Sequence, residues 1–122
     1  MKFENYEVRL IEKKDTLSYF QLIENNRPRL EDFIAGIVSR TKNSTDTEIF
    51  IDEIIEKNLN KTYFPYLVID TNNREFVGFL DVKNIDWNIP KAEIGYFIDK
   101  KHTGKGLAEK ALNKIIDRKS VV

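Results

Sequence analysis

The chain has 122 residues, with twenty Lys plus Arg balanced by twenty Asp plus Glu, 41% hydrophobic residues and no cysteine. That length suits one domain around a single core, and the charge balance leaves no overall field to recruit nucleic acid or an anionic membrane. The absence of cysteine excludes disulfides, thiolate metal sites and a cysteine nucleophile together.

The opening "MKFENYEVRLIEKK" alternates charges and holds no apolar core of signal-peptide length, and no later run approaches a membrane span. A soluble, cytoplasmic protein made of one domain, residues 1–122, is therefore expected. "FENYEVRLIE" alternates at period two with Tyr6, Val8 and Leu10 on one face, which predicts a first strand. A helix is predicted next, with Asp15 as N-cap and Leu17, Phe20 and Ile23 as its apolar stripe, ending near "NNRP" because Pro28 restricts Arg27. Arg29 to Asn43 reads as a short helix and loop. In "TDTE", Thr45 and Glu48 fit a capping box, predicting a helix over 46–60 that buries Ile51, Ile54, Ile55 and Leu59.

"TYFPYLVID" and "REFVGFLDVKNI" flank the polar turn "TNN", the pattern of an antiparallel hairpin. Pro65 cannot donate to a ladder and is expected at a strand edge or bulge. "DWNIP" is the next turn and "KAEIGYFID" the third strand of the meander. Gly95 inside that strand points to a bulge or to close approach by another group. A final helix follows from about Lys105 to Arg118, with Leu107, Ala111, Leu112, Ile115 and Ile116 on one face. The predicted order is β-α-α-β-β-β-α, an α+β domain with a mainly antiparallel sheet flanked by helices.

Two of the five glycines, Gly104 and Gly106, stand at the mouth of that last helix. Glycine there lets backbone N–H groups point outward, and the first N–H groups of a helix lack partners and carry partial positive charge, so the loop reads either as an anion cradle or as a flexible turn. Lys105 would add a cation at its rim. Neither a Walker loop nor a dinucleotide fingerprint fits the G-x-G spacing.

"VGFLDVKNIDWNIPKAEIGYFIDKKHTGKG", with its Asn-Ile-Asp-Trp turn, its Glu-Ile-Gly-Tyr strand and the run Thr103-Gly104-Lys105-Gly106-Leu107-Ala108, resembles the GNAT family of N-acetyltransferases. It is most similar to the branch (RimJ/RimL-like) that acetylates the N-terminal α-amino groups of ribosomal proteins. The likeness extends through "LIENNRPRL" and the second helix. The family's signature places Gln or Arg where this chain has Thr103. The resemblance implies acetyl-CoA as cosubstrate, its pantetheine arm paired with backbone groups of Phe97 and Ile98, and its pyrophosphate on the N–H groups of Thr103, Gly104, Lys105, Gly106, Leu107 and Ala108. It also implies direct attack by a primary amine, either a protein N-terminus or a small amine, with Glu93 as the general base that frees the amine lone pair. Glu93 read alone is equally a solvated residue on the outer face of a strand.

His102, the sole histidine, has no companions for a metal site and reads as a loop residue, so no metal is expected. The aromatic residues Tyr63, Phe64, Tyr66, Phe76, Phe79 and Trp87 read mainly as core, with an acceptor cleft as the other use. By resemblance the family fold continues with further strands, so this chain is expected to lack about one third of a domain. That includes the strand that would flank residues 92–99 and the region that supplies a general acid. An exposed edge carrying Ile94, Tyr96, Phe97 and Ile98 would then invite a homodimer. Two functions stay open at this point: an acetyl-CoA-dependent N-acetyltransferase, and a noncatalytic module of the same fold that binds CoA or serves in assembly.

Overall fold

The computed structural model describes residues 1–30, 35–86, 88 and 91–119. Trp87, and with it the end of the Asn-Ile-Asp-Trp turn, lies outside the described residues. Five strands, β1 (Lys2–Phe3), β2 (Tyr6–Leu10), β3 (Tyr63–Asp70), β4 (Phe76–Asp86) and β5 (Lys91–Ile98), form one antiparallel sheet in the order β1-β2-β3-β4-β5. Between β2 and β3 lie α1 (Thr16–Glu24), α2 (Arg27–Leu30), α3 (Ala35–Arg40) and α4 (Ser44–Leu59), and α5 (Leu107–Lys119) follows β5. The expected α+β class holds. The predicted order is extended by the two-residue β1, by α3 in the segment read as a short helix and loop, and by α2, which takes in Arg27 although Pro28 is expected to keep it out of a helix. Helix α1 does end at Glu24, but Arg27 and Pro28 open a new helical turn, where proline is tolerated. No helix among the described residues is long and apolar enough to cross a membrane.

Each face of the sheet has its own apolar layer. Tyr19, Leu22 and Ile23 of α1 and Phe50, Ile51 and Ile54 of α4 pack on Leu67, Ile69, Phe79 and Phe97. Leu107, Ala111 and Ile115, spaced four apart on α5, pack on Tyr6, Val8, Val68, Leu80 and Ile98 of the opposite face. Tyr6 and Val8 face inward as expected, whereas Leu10 is 37% exposed at the end of β2.

The helices begin and turn differently from the sequence pattern. Asp15 precedes α1 but its carboxylate makes no cap. It accepts two bonds from the Arg9 guanidinium, at 2.7 and 2.8 Å, and one from the Glu12 N–H at 2.7 Å, because a charged bidentate partner outcompetes a neutral cap. The buried stripe is then Tyr19, Leu22, Ile23, Asn26 and Leu30, which leaves Leu17 70% exposed. Helix α4 starts two residues earlier than the Thr45 box implies. Asn43 is its N-cap and accepts the Asp46 N–H at 2.8 Å, while Thr47 and Phe50 join the buried face and Leu59 stays exposed.

Strand β4 contains one extra residue. Val68 pairs with Gly78 while Ile69 pairs with Phe76, so Val77 is bulged. Across the bulge the alternation shifts by one: Phe76 and Phe79 face the α1–α4 layer, and Val77 and Leu80 face α5. Gly78 is required by close packing, since a Cβ there would lie 2.7 Å from Ile98 Cδ1 and 3.1 Å from Phe97 O. Pro65 lies in β3, between two strands, yet just past the paired stretch of β2. Its carbonyl accepts the Ile11 N–H at 2.9 Å, and its missing N–H faces the same side, beyond the last β2 pair.

Asn26, 1% exposed, joins the helical layer to the end of β5. Its amide nitrogen donates to Leu22 O at 2.8 Å and to Asp99 Oδ1 at 2.7 Å, and its oxygen accepts from Arg29 Nη1 at 3.1 Å and from the Lys100 N–H at 2.9 Å. All four hydrogen-bonding positions of the amide are filled. Asn26→Ala leaves several of these groups without partners, so we expect a loss of about 2 to 3 kcal/mol in urea unfolding and faster exchange of the Lys100 amide. Stability within about 0.5 kcal/mol of the parent would contradict this role.

Candidate functional site

A cleft of about 600 Å³ opens between β5 and the start of α5; its walls include Arg29, Tyr96, Ile98, Gly104, Gly106 and Ala108. Two backbone features shape it. The first is the outer edge of β5, which pairs with no strand among the described residues. Asp99 N–H donates to Val77 O, and alternation therefore turns Phe97 toward β4 and turns Tyr96 and Ile98 toward the open edge. The Ile98 carbonyl on that edge accepts Arg29 Nη1 at 2.9 Å.

The second feature is the β5–α5 loop. A 3-10 turn at Lys100–His102 leads to Gly104 at φ 82° and Gly106 at φ 68°, both left-handed, with open space where a Cβ would sit. Glycine is thus demanded by backbone conformation and not by crowding. The first helical bond of α5 runs from Lys110 N–H to Gly106 O at 3.1 Å, which leaves the N–H groups of Leu107, Ala108 and Glu109 without helical acceptors at the cleft. The Leu107 side chain is buried beneath the loop, Thr103 turns its hydroxyl back to Lys100 O at 3.0 Å, and Lys105 is exposed. His102 also lines the cleft, edge-on to Tyr6 with ring centroids 6.4 Å apart. Among the described residues no group of three His, Asp or Glu side chains gathers to hold a metal.

Glu93 is exposed on β5, on the α1–α4 side of the sheet with Gly95 and Phe97. Its Oε2 accepts Asn84 Nδ2 at 2.7 Å, and its cross-strand neighbour is Lys83. Further along the same face is a charge that sequence reasoning missed. Asp81, 3% exposed, accepts the Tyr63 hydroxyl on Oδ2 at 2.6 Å and both Lys83 Nζ and the Gly95 N–H on Oδ1 at 3.0 Å. This explains Gly95: a Cβ would lie 2.6 Å from Asp81 Oδ1 and 2.8 Å from Lys83 Nζ. Burial, reinforced by the Asp81 charge, pushes the Tyr63 and Tyr19 phenols well above their ordinary range, so Tyr63 remains a donor at neutral pH. Tyr66 and Phe79 are buried, and Tyr63, Phe64 and Phe76 pack against the two layers, so the described members of the aromatic set are mainly core. Arg29 was also missed. In sequence it only opens the segment read as a short helix and loop, and the fold brings it to Ile98.

Comparison with known proteins agrees with this architecture. The chain is 30% identical over 116 residues to the Bacillus subtilis (strain 168) protein YdaF, named for ribosomal N-acetyltransferase activity; the match takes in 93% of this chain and 61% of that one. The structure of a ribosomal-protein-S5-alanine acetyltransferase from Vibrio fischeri superposes with a TM-score of 0.82 at 23% identity, covering 96% of this chain and 64% of the other. RimL, a ribosomal L7/L12 α-N-protein acetyltransferase solved in complex with coenzyme A, also gives 0.82, at 20% identity and 95% and 64% coverage. The chain thus spans less than two thirds of the length of each. The model of the acetyltransferase (GNAT) domain matches residues 6–119, and the chain belongs to that family.

Proposed function

We propose that the chain binds acetyl-CoA in the cleft beside β5 and acts in acetyl transfer to a primary amine, a protein N-terminus being the favoured acceptor. The observation that carries this reading is the meeting of two backbone donor sets at one cleft: the free N–H groups at the start of α5 and the open edge of β5. The helix start suits a pyrophosphate, since its N–H groups are unpaired and its dipole favours an anion. The strand edge at Tyr96 and Ile98 suits the amide-bearing pantetheine arm, which it would pair as a neighbouring strand is paired. Arg29, on the wall between them, adds a cation. Family membership and the CoA complex of RimL support the choice of cosubstrate.

When bound, acetyl-CoA supplies the activated acetyl group. The work left to this chain is to hold the arm, admit the amine and remove its proton. Glu93 is proposed as the proton acceptor: its exposed carboxylate is steadied by Asn84 and lies two residues from Gly95 on the strand that carries the cleft.

Two outcomes test the proposal. Gly106→Val forces a β-branched residue into a left-handed conformation and distorts the cradle. Calorimetry should show CoA affinity lowered by about 1 to 3 kcal/mol, while unchanged affinity sinks the cradle assignment. Glu93→Gln should depress turnover about 100-fold or more at neutral pH, and less at high pH where the amine is already free, with CoA affinity preserved. A loss independent of pH would remove Glu93 from the chemistry.

A further inference from the structure

The Asp81 carboxylate is a buried charge that the cofactor cleft does not use. It is 3% exposed and takes donors from three directions, the Tyr63 hydroxyl, the Gly95 N–H and Lys83 Nζ. Two of these are fixed by the fold. The third is the tip of a flexible side chain that is 38% exposed. On the same side of the sheet, the Tyr19 hydroxyl is fully buried and has no hydrogen-bond partner among the described residues; burial, with the Asp81 charge as a lesser cause, pushes its pKa up. A polar atom left so in a core calls for an explanation.

We propose that Asp81 is the ammonium-binding group of the amine-acceptor site, and that Lys83 Nζ holds that place until a primary ammonium from the acceptor displaces it. The identification with the acceptor rests on the acetyl-transfer reading above; ammonium binding itself does not.

Three features carry the assignment. Primary amines are mostly protonated at neutral pH, so an acceptor arrives as a cation with three N–H donors. Asp81 Oδ1 accepts such a donor from Lys83 now, and the Tyr63 hydroxyl oxygen, held on Asp81 Oδ2, is a further acceptor beside it. Exchange of one ammonium for another is also neutral in charge, so the buried carboxylate is never left unpaired, which would be the expensive state. Lys83 has somewhere to go, because Glu93 is its direct cross-strand neighbour on the same face and is an exposed carboxylate. Gly95 leaves room for this contact, since a Cβ there would lie 2.6 Å from Asp81 Oδ1 and 2.8 Å from Lys83 Nζ. The amine would then be held on β4, across from the strand that bears Glu93, on the side of the sheet away from α5.

The test uses n-butylammonium, which matches the lysine side chain in length, with 1-butanol and tetramethylammonium as controls, at constant ionic strength and without CoA. Nitrogen-15 NMR follows the Gly95 amide. Butylammonium should shift it saturably, at about tenfold lower concentration in Lys83→Met than in the parent, because the internal competitor is gone. The controls and the Asp81→Asn chain should give no saturable shift. Equal concentrations in parent and Lys83→Met, or an equal response to butanol, would overturn the proposal. Should Lys83→Met unfold for want of a counter-charge, butylammonium must restore its thermal midpoint, since a ligand of the folded state raises it. A chain left unfolded at saturating butylammonium also overturns it. In transfer assays Lys83→Met should lower the acceptor KM and leave that for acetyl-CoA unchanged, and an unchanged acceptor KM removes the acceptor from this site. Ammonium bound without any acetyl transfer counts against the functional reading and not against the site.

Discussion

The cleft beside β5 depends on one side-chain amide. The β5–α5 loop is largely exposed and carries two left-handed glycines, a composition that by itself favours many conformations. Asn26 limits them, because its oxygen takes the first N–H of the loop and its nitrogen takes the Asp99 carboxylate just before it. The same oxygen orients Arg29, whose Nη1 also closes on the Ile98 carbonyl. A single buried group thus sets the helix end, the last residues of β5 and the cation of the cleft wall relative to one another. Such a network specifies one arrangement because each partner would be costly to leave unmet in a low-dielectric interior.

The two faces of the sheet are built on different terms. The α5 face is an apolar contact with regular spacing, Leu107, Ala111 and Ile115 against strand residues. The α1–α4 face has an apolar centre, but toward the far end of β4 and β5 it gives way to a row of ionisable groups, Asp81, Lys83 and Glu93. Ionic groups at the border of a core add little net stability compared with apolar packing and are exacting about geometry. Their placement on one face is therefore better understood through recognition than through folding strength.

The sheet and the loop were the legible parts of the sequence. Polar "TNN" between two apolar runs marked the β3–β4 hairpin, and the paired glycines marked a helix start, because both signals are local. What the sequence hid depended on partners distant along the chain. Asp15 looks like a cap until Arg9 is folded against it. In "NSTDTE" two overlapping caps compete, and the choice of Asn43 over Thr45 depends on which face of α4 the core accepts. Asn26 looked like an ordinary turn residue, since its partners at Asp99 and Lys100 are more than seventy positions away. Gly95 announced a close approach and could not say by what, since Asp81 becomes its neighbour only through the β4–β5 register.

The bulge at Val77 gives β4 a reading frame. Upstream and downstream of it the same rule of alternation applies, but out of step by one, and it is this shift that directs Phe79, Asp81 and Lys83 to the helical side and Leu80 and Val82 toward α5. A one-residue insertion or deletion between the bulge and Asp81 would act as a frameshift in space, moving a carboxylate and an ammonium into the apolar layer under α5 and bringing leucine and valine out in their place. The length of this strand is consequently fixed as firmly as its buried residues, while the turn at residues 71–75 can change length without disturbing which side any strand residue faces.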